Sequence, residues 1–354
     1  MLAVILAGGL GTRLQPLTLT RPKPIVPVLN VPFLRYQLAW LHQHGVREAV
    51  LACSYGVEAI REGIGDGRSL GMLLAYAVEP EPLGTAGALR NAADAGDGLV
   101  AVLNGDILTD LDLTAMSAFH RGRRSRATIY LTAVDDPTRY GLVETDADGR
   151  ILSFLEKPSP EQVTVNTING GVYILERGLL ELIPKGIPFS MEREFFPALL
   201  AHRIPFFGHV GRAYWIDIGA PDRYRQVQAD LMAGKVATPI EPSGTRAGNL
   251  WIDQESIVSA EAGLTGPAVI GRRTRVGPGC RVGPFTVLGD GAILEEGSSV
   301  VRAVLWQDVH VGAGARLTDC VIADGCRIGA SAEIGPGAVL GAESVVPDGA
   351  RIGP

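Results

Sequence analysis

The sequence predicts an α/β chain: a mostly parallel, Rossmann-like sheet domain followed by a parallel β-helix of hexapeptide repeats. Three observations predict it. Short apolar runs alternate with helical patterns through the first hundred residues, Pro, Ser, Thr and Gly accumulate over residues 235–262, and beyond them an aliphatic residue recurs at every sixth position. The expected boundaries are residues 1–234 for the first domain, 235–262 for a linker and 263–354 for the second.

In chain order, Leu2 to Ala7 reads as a buried strand and Phe33 to His44 as a helix stopped by Gly45. Val50 to Cys53 is a strand, Val57 to Ile64 a helix, Leu73 to Val78 a strand, Ala86 to Ala93 a helix and Leu99 to Leu103 a strand. Strands and helices alternating at these lengths argue for βαβ units around a parallel sheet covered on both faces. Ligands of such sheets sit at the carboxyl ends of the strands. The stretch from Ala127 to Ile174 is richer in strands and turns, with a hairpin signal at Asp146 to Gly149. Ala213 to Ile218 reads as a strand leading into a helix from Pro221 to about Met232.

In the second part the aliphatic positions are Ile270, Val276, Val282, Leu288, Leu294 and Val300. The period slips by one near Leu305 and again near Ile322, then resumes at Ile328, Ile334, Leu340, Val346 and Ile352. A helix of 3.6 residues per turn cannot hold a six-residue apolar period. A triangular solenoid can, with one face per hexapeptide and the aliphatic residue pointing inward; the run is long enough for roughly five coils.

The length of 354 residues allows two separately cored domains. Basic residues number 32 against 38 acidic, a net charge of -6, and no basic stripe exists to track a nucleic-acid backbone. Any phosphate binding must therefore come from a few placed cations and backbone amides. The four cysteines are scattered without a CxxC pair, which fits reduced thiols in a cytoplasmic protein rather than a disulfide framework or zinc site. No apolar run is long enough for a membrane span, and Leu2 to Ala7 is too short for a signal-peptide core. A soluble protein is expected.

The first strand runs into Gly8-Gly9-Leu10-Gly11-Thr12-Arg13-Leu14. Glycines after a strand let backbone N–H groups surround a polyphosphate; a tight turn needing positive φ is the plainer alternative. The run lacks the Gly-Lys-Ser/Thr ending of a P-loop. It also lacks the third glycine of a dinucleotide fingerprint, and no acidic residue ends the second strand near Cys53. Arg13 and Lys23 follow closely, and two cations beside an amide nest suit a triphosphate whose pyrophosphate must leave. Lysine occurs only at Lys23, Lys157, Lys185 and Lys235. This Arg-biased chain keeps Lys between prolines at Pro22-Lys23-Pro24 and before one at Glu156-Lys157-Pro158, where a compact ammonium serves and a planar fork would not. Asp106 and Asp217 each end an apolar strand beside a glycine, a placement suited to a hard cation that completes its shell with phosphate oxygens.

The run from Leu6 to Thr18, closing on Arg21-Pro22-Lys23-Pro24, resembles the signature of the sugar-1-phosphate nucleotidyltransferases. Glu81-Pro-Leu-Gly-Thr-Ala-Gly87, Leu103-Asn-Gly-Asp106, Tyr140-Gly141, Glu156-Lys-Pro158, Asn169-Gly-Gly-Val-Tyr173 and Trp215-Ile-Asp-Ile-Gly219 come in that family's order. The resemblance covers nearly the whole chain. Within the family it is most similar to the mannose-1-phosphate guanylyltransferases, through the Glu81 motif and Ser190-Met-Glu-Arg-Glu-Phe-Phe-Pro197.

The resemblance implies a left-handed β-helix and Mg²⁺-dependent transfer of a nucleotidyl group, with GTP favoured, to a sugar 1-phosphate. It implies that Arg13 and Lys23 hold the triphosphate and that Asp106 and Asp217 hold Mg²⁺. Leu6, Ala7, Gly8, Gly9, Gly11, Thr12, Glu81, Gly84 and Thr85 would surround the nucleotide, together with Arg13, Lys23 and Asp106. Lys157 would grip the sugar phosphate, with Gly141, Glu156, Asn169 and Gly170 on the sugar. In line with this, the chain offers no Ser-His-Asp or Cys-His set for a covalent route.

The family usually carries Asn-Ala-Gly where this chain has Asn169-Gly170-Gly171, a lost methyl that should be tolerated; Glu144 stays unassigned. Thymidylyl or uridylyl transfer is one rival reading. A retired regulatory paralogue is a second, and it should have lost a motif cation or metal carboxylate, whereas all five are present. A solenoid acyltransferase is the third, and it would need His310 as its base, although that residue reads as a surface or inter-coil histidine. The solenoid is expected to build a homo-oligomer. Every candidate chemical group precedes residue 235, which predicts that the chemistry is separable from the tail.

Overall fold

Leu2–Leu6 lies inside a nine-stranded sheet, parallel to Glu48–Cys53 on one side and to Leu99–Asn104 on the other. Its Ala3, Val4 and Ile5 are fully buried, as expected of a run apolar on both faces. The computed structural model describes residues 1–353, and its contacts divide the chain into two units. One comprises Met1–Gly9 and Tyr36–Ile216; the other comprises Leu10–Arg35 and everything from Asp217 onward.

In the first unit the sheet continues from Glu48–Cys53 to Leu73–Val78, again parallel. Beyond Leu99–Asn104 it turns antiparallel through Thr167–Glu176, which pairs with Ala127–Ala133 and reaches Gly141–Thr145 and Ile151–Glu156. The last two form the expected hairpin. Asp146 caps its turn by accepting the N–H groups of Asp148 and Arg150 at 2.9 Å each. Pairing of Thr167–Glu176 with Ala127–Ala133 slips between Asn169 and Tyr173, so the Asn169-Gly170-Gly171 motif forms a bulge in a long strand. Bulges re-aim side chains beside active sites.

Helices Val57–Ile64 and Gly84–Ala92 flank the parallel half. The sequence did not reveal Leu113–Gly122, capped by Asp112 through the Ala115 N–H at 2.9 Å, nor the widened turn Met191–Phe195 that runs into Phe196–Ala201. The last two place Phe195, Phe196 and Leu199 in one core cluster with Val102, Ile129 and Tyr173.

In the second unit, three parallel sheets repeat at 18-residue intervals, as in Val276↔Leu294 and Val282↔Val300. Two coils are a residue shorter, Leu288↔Leu305 and Leu305↔Ile322, where the hexad slips in the sequence. The stacked aliphatics are buried, with Cys280, Cys320 and Cys326 among them. All four cysteines are free, and burial pushes the Cys53 and Cys320 thiols up to about 12.

The stretch expected as a linker is in large part solenoid. Leu250–Ile252 pairs with Ala268–Ile270, Ile257–Val258 with Arg275–Val276 and Gly263–Leu264 with Arg281–Val282. The hexad thus extends back through Ile252, Val258 and Leu264 and supplies a further coil. It was hidden because Asp253, Ser259 and Thr265 stand where glycine follows later aliphatics.

Candidate active site

The carboxyl ends of three neighbouring parallel strands come first. Ala7 donates its N–H to Ala52 O at 2.8 Å, and Ser54 Oγ donates to Gly8 O at 2.6 Å. Gly105 donates to Leu6 O at 2.9 Å, which brings the Asn104-Gly105-Asp106 exit beside the first motif. Gln37 braces that exit by donating through Nε2 to Asn104 O and Ile107 O at 2.9 and 2.8 Å. Asp106 is half-buried in the turn so held.

At the end of Leu73–Val78 the structure buries Glu79 and leaves Glu81 exposed. Glu79 donates its N–H to Cys53 O at 2.8 Å, and its Oε2 accepts from Leu83 N at 2.9 Å. Its Oε1 is buried with no hydrogen-bond partner, and burial raises the carboxyl above its ordinary pKa. A buried, unmatched carboxylate oxygen is costly in isolation and points to a donor supplied from outside the chain. The sequence signal was faint, because Glu79-Pro80 and Glu81-Pro82 look alike.

Gly84 to Gly87, expected as a turn, is the first turn of a helix. Ala86 and Gly87 donate to Phe189 O at 2.9 and 3.0 Å, so these N–H groups serve the fold. Thr85 Oγ1 donates to Glu192 at 2.8 Å and accepts from Met191 N at 2.8 Å, tying the Ser190 motif to this turn.

The expected sugar side is also in the first unit. Glu156 and Gly141 face each other across the hairpin. Burial raises the Glu156 carboxyl, Glu192 adds to the rise, and Lys157 and Arg193 oppose it. Lys157 donates its N–H to Tyr140 O at 3.0 Å and has φ 51, a left-handed conformation that costs a non-glycine residue about 1–2 kcal/mol. Such strain marks a side chain that the surrounding structure over-determines. Asn169 donates to Tyr173 Oη at 2.9 Å and accepts from Gly171 N at 3.0 Å. Gly170 O accepts from Trp215 Nε1 at 2.8 Å. A Cβ on Gly170 would stand 2.6 Å from the Tyr130 ring, so the glycine here fits its bulky neighbour and is more than a tolerated loss. Glu144 accepts from Ser153 Oγ at 2.8 Å and from Thr164 Oγ1, a brace for the hairpin.

The second unit holds the rest. Gly11, at φ 64, opens the turn Thr12–Leu14, and its carbonyl accepts from Thr18 Oγ1 at 2.8 Å. A Cβ there would stand 3.0 Å from Thr18 Cγ2 and 3.3 Å from Lys23 Cβ. Three of the five expected catalytic groups converge: Arg13 lies 3.5 Å and Lys23 Nζ 3.9 Å from the Asp217 carboxylate. Asp217 is 9% exposed and accepts from Gly219 N at 2.6 Å. Two cations facing one carboxylate leave a net positive charge, with Lys23 mostly buried and Arg13 reaching into solvent. That arrangement attracts an anion richer in charge than one carboxylate.

These groups do not lie apart from the tail. Residues 10–35 and the helix Pro221–Met232 that follows Asp217 pack with the solenoid in one unit, and the short turns bury Leu14, Leu17, Ile25 and Val26 there. His310, half-exposed, pairs with Glu295 at 2.8 Å on the preceding coil. Among the described residues no group of three or more His, Cys, Asp or Glu could hold a metal by protein ligands alone, and no helix is long and apolar enough to cross a membrane.

Residues 2–234 match the family described as nucleotidyl transferase, and residues 264–353 match the GMPPB C-terminal domain. A mannose-1-phosphate guanylyltransferase of Mycobacterium tuberculosis is 38% identical over 84% of this chain and 80% of its own. A UTP–glucose-1-phosphate uridylyltransferase of Synechocystis is 32% identical over 91% of this chain and 87% of its own. A crystal structure of HddC from Yersinia pseudotuberculosis complexed with GMP-PN is 34% identical, with a TM-score of 0.55 over 65% of this chain and 99% of that one.

Proposed function

Because this chain belongs to the nucleotidyl transferase family and is a nucleotidyltransferase, we propose that it joins GTP to mannose 1-phosphate, giving GDP-mannose and pyrophosphate. The observation that carries this reading is the convergence of Arg13 and Lys23 on Asp217, a positively charged set beside a glycine-opened turn.

In the proposed reaction an oxygen of the sugar phosphate attacks the α-phosphorus of the nucleotide. The new O–P bond forms as the bond to the β-phosphate bridging oxygen breaks, and that oxygen leaves with the pyrophosphate. Arg13 and Lys23 hold the β- and γ-phosphates and stabilise the charge that grows there. Lys157 binds and orients the attacking phosphate, and Glu156, Gly141, Asn169 and Gly170 contact the sugar. Leu6, Ala7, Gly8, Gly9, Thr12, Gly84 and Thr85 line the nucleotide. No side chain acts as nucleophile. Asp106 and Asp217 each offer hard carboxylate oxygens, the ligand type that fits Mg²⁺, which typically keeps one or two carboxylates and takes phosphate oxygens. When bound, the ion supplies neutralising charge on those phosphate oxygens.

Glu79 supports the choice of GTP. Guanine presents N1–H and an N2 amino group side by side, two donors that a carboxylate accepts. Uracil and thymine present one N–H between two carbonyls, and a carboxylate repels the carbonyls. The partnerless Oε1 at a strand's carboxyl end suits the purine. We therefore assign base reading to Glu79, in place of Glu81 among the residues that surround the nucleotide.

Homo-oligomer formation through the solenoid is part of the proposal. Ile257, Ile293 and Val345 are exposed in one column of its second sheet, interleaved with Arg275, His310 and Arg327, a flat face of mixed apolar and basic side chains that a second copy would cover. The free, buried cysteines support a reducing, cytoplasmic setting. Pyrophosphate release from GTP, UTP, dTTP, ATP and CTP, each with a panel of sugar 1-phosphates, tests the reading. The highest kcat/KM is expected for GTP with mannose 1-phosphate, and a preference for UTP or dTTP would refute the assignment of the base.

A further inference from the structure

The segment that carries Arg13 and Lys23 is made of three short turns, Thr12–Leu14, Leu17–Leu19 and Lys23–Ile25, and a two-residue hairpin, Pro27–Val28 with Val31–Pro32. Elements this short do not hold a fixed geometry without external support. Arg21, two residues before Lys23, supplies one attachment. Its guanidinium donates to Asp324 Oδ2 at 2.8 Å and lies 5.1 Å from the centroid of the Trp306 ring. Asp324 is itself fixed, because its Oδ1 accepts from Gln307 N at 3.1 Å.

Trp306 is buried and reaches the other side of the cation set. Its Nε1 donates to Tyr224 Oη at 2.9 Å, and Tyr224 donates in turn to Pro27 O. Burial raises the Tyr224 phenol, which keeps it a neutral donor. Tyr224 lies on the helix Pro221–Met232, which begins just after Asp217. One indole therefore touches both the strap that precedes Lys23 and the helix that follows Asp217. Asn30 adds a second attachment, donating to Leu288 O at 2.8 Å, and Arg225 a third, pairing with Asp319 at 3.1 Å.

We propose that the solenoid is a positioning element of the transfer site: Arg21, held between Trp306 and Asp324, fixes the segment that aims Arg13 and Lys23. This rests on the reading of those two cations as triphosphate ligands. Arg21 itself touches no substrate. Its stacked, part-buried pair is worth more than an exposed ion pair, since the guanidinium is both hydrogen-bonded and laid over an aromatic face. Electrostatic stabilisation of a leaving group depends on prior placement, and a displacement of about 1 Å costs roughly a hundredfold in rate.

The test uses the full-length protein with Arg21→Ala, Asp324→Ala and the double variant. Kinetics are read as pyrophosphate release, and amide hydrogen exchange is followed over residues 10–35. Each single variant should lower kcat/KM for GTP by about tenfold or more, with KM for mannose 1-phosphate changed less than about twofold; the double variant should match the singles because the two residues act as one unit. Exchange of residues 10–35 should quicken in all three while Leu2–Leu6 stays protected. Losses that multiply in the double variant, a KM for mannose 1-phosphate raised as much as that for GTP, or unaltered kinetics despite faster exchange would overturn the proposal. Should the wild-type protein turn over no nucleotide, the reading of Arg13 and Lys23 falls on its own. Exchange then still decides the anchoring, and unaltered protection of residues 10–35 overturns it.

Discussion

Replacing Glu79 by Gln alters a single buried group and separates base recognition from everything else at the site. The amide oxygen keeps the bond from Leu83 N, while an NH₂ replaces the partnerless Oε1. Towards guanine a charged acceptor becomes a donor facing a donor. A bond to a charged group contributes about 1.5–3 kcal/mol, and an opposed buried donor costs about 1–3 kcal/mol. After partial relaxation a net loss of about 2–4 kcal/mol is expected, roughly 30- to 1,000-fold in kcat/KM for GTP. UTP, whose base offers both a donor and acceptors to an amide, should be used as well as before or better.

The same change carries a stability signature of opposite sign. Burial raises the Glu79 carboxyl above its ordinary value, so the folded state binds the proton more tightly than the unfolded one. Stability from this group is therefore full below the ordinary carboxylate range and is lost as pH rises through the raised folded value. Gln does not titrate. The variant's Tm should equal or exceed wild type at neutral pH, with the gap closing in acid. Thermal melts from pH 4 to 8, beside GTP and UTP kinetics, check both arms. Equal losses for GTP and UTP, or a lower Tm at neutral pH, would refute the reasoning.

Asp106→Asn and Asp217→Asn should each abolish turnover with circular dichroism near wild type, because each removes a carboxylate charge proposed to bind Mg²⁺; Asp217→Asn should also lower Tm, since it takes away the carboxylate that Arg13 and Lys23 face. Lys157→Arg should lower kcat/KM by more than about tenfold, about 1.4 kcal/mol, since a compact ammonium and a planar guanidinium fork are not interchangeable at a phosphate. Gly170→Ala should cost about 1–3 kcal/mol in chemical denaturation through overpacking against Tyr130; an unchanged midpoint would show that the bulge relaxes freely.

The sheet strands and the hexads were legible because burial on both faces and a fixed six-residue repeat leave direct marks in composition. The first coil was not, since Asp253, Ser259 and Thr265 replace the punctuating glycines and only the positions of Ile252, Val258 and Leu264 keep the period. Of the candidate site, the glycine turn, Lys157, Asp106 and Asp217 stand at strand ends as their pattern predicts, whereas Lys23 opens a short turn. Which glutamate of Glu79-Pro-Glu81-Pro is buried depends on the Cys53 carbonyl, a contact between strands distant in sequence. The place of residues 10–35 with the solenoid was equally hidden. It rests on Arg21 with Trp306 and Asp324, and on Asn30 with Leu288, pairs separated by hundreds of positions.

Phosphorus NMR of one reaction mixture tests the central claim most directly, because it reports which phosphate bond breaks. With GTP, mannose 1-phosphate and Mg²⁺, the protein should consume both substrates and give equal amounts of pyrophosphate and a GDP-sugar diphosphate, with none formed by the Asp217→Asn variant. Orthophosphate as the product, or loss of GTP without loss of the sugar phosphate, would contradict nucleotidyl transfer.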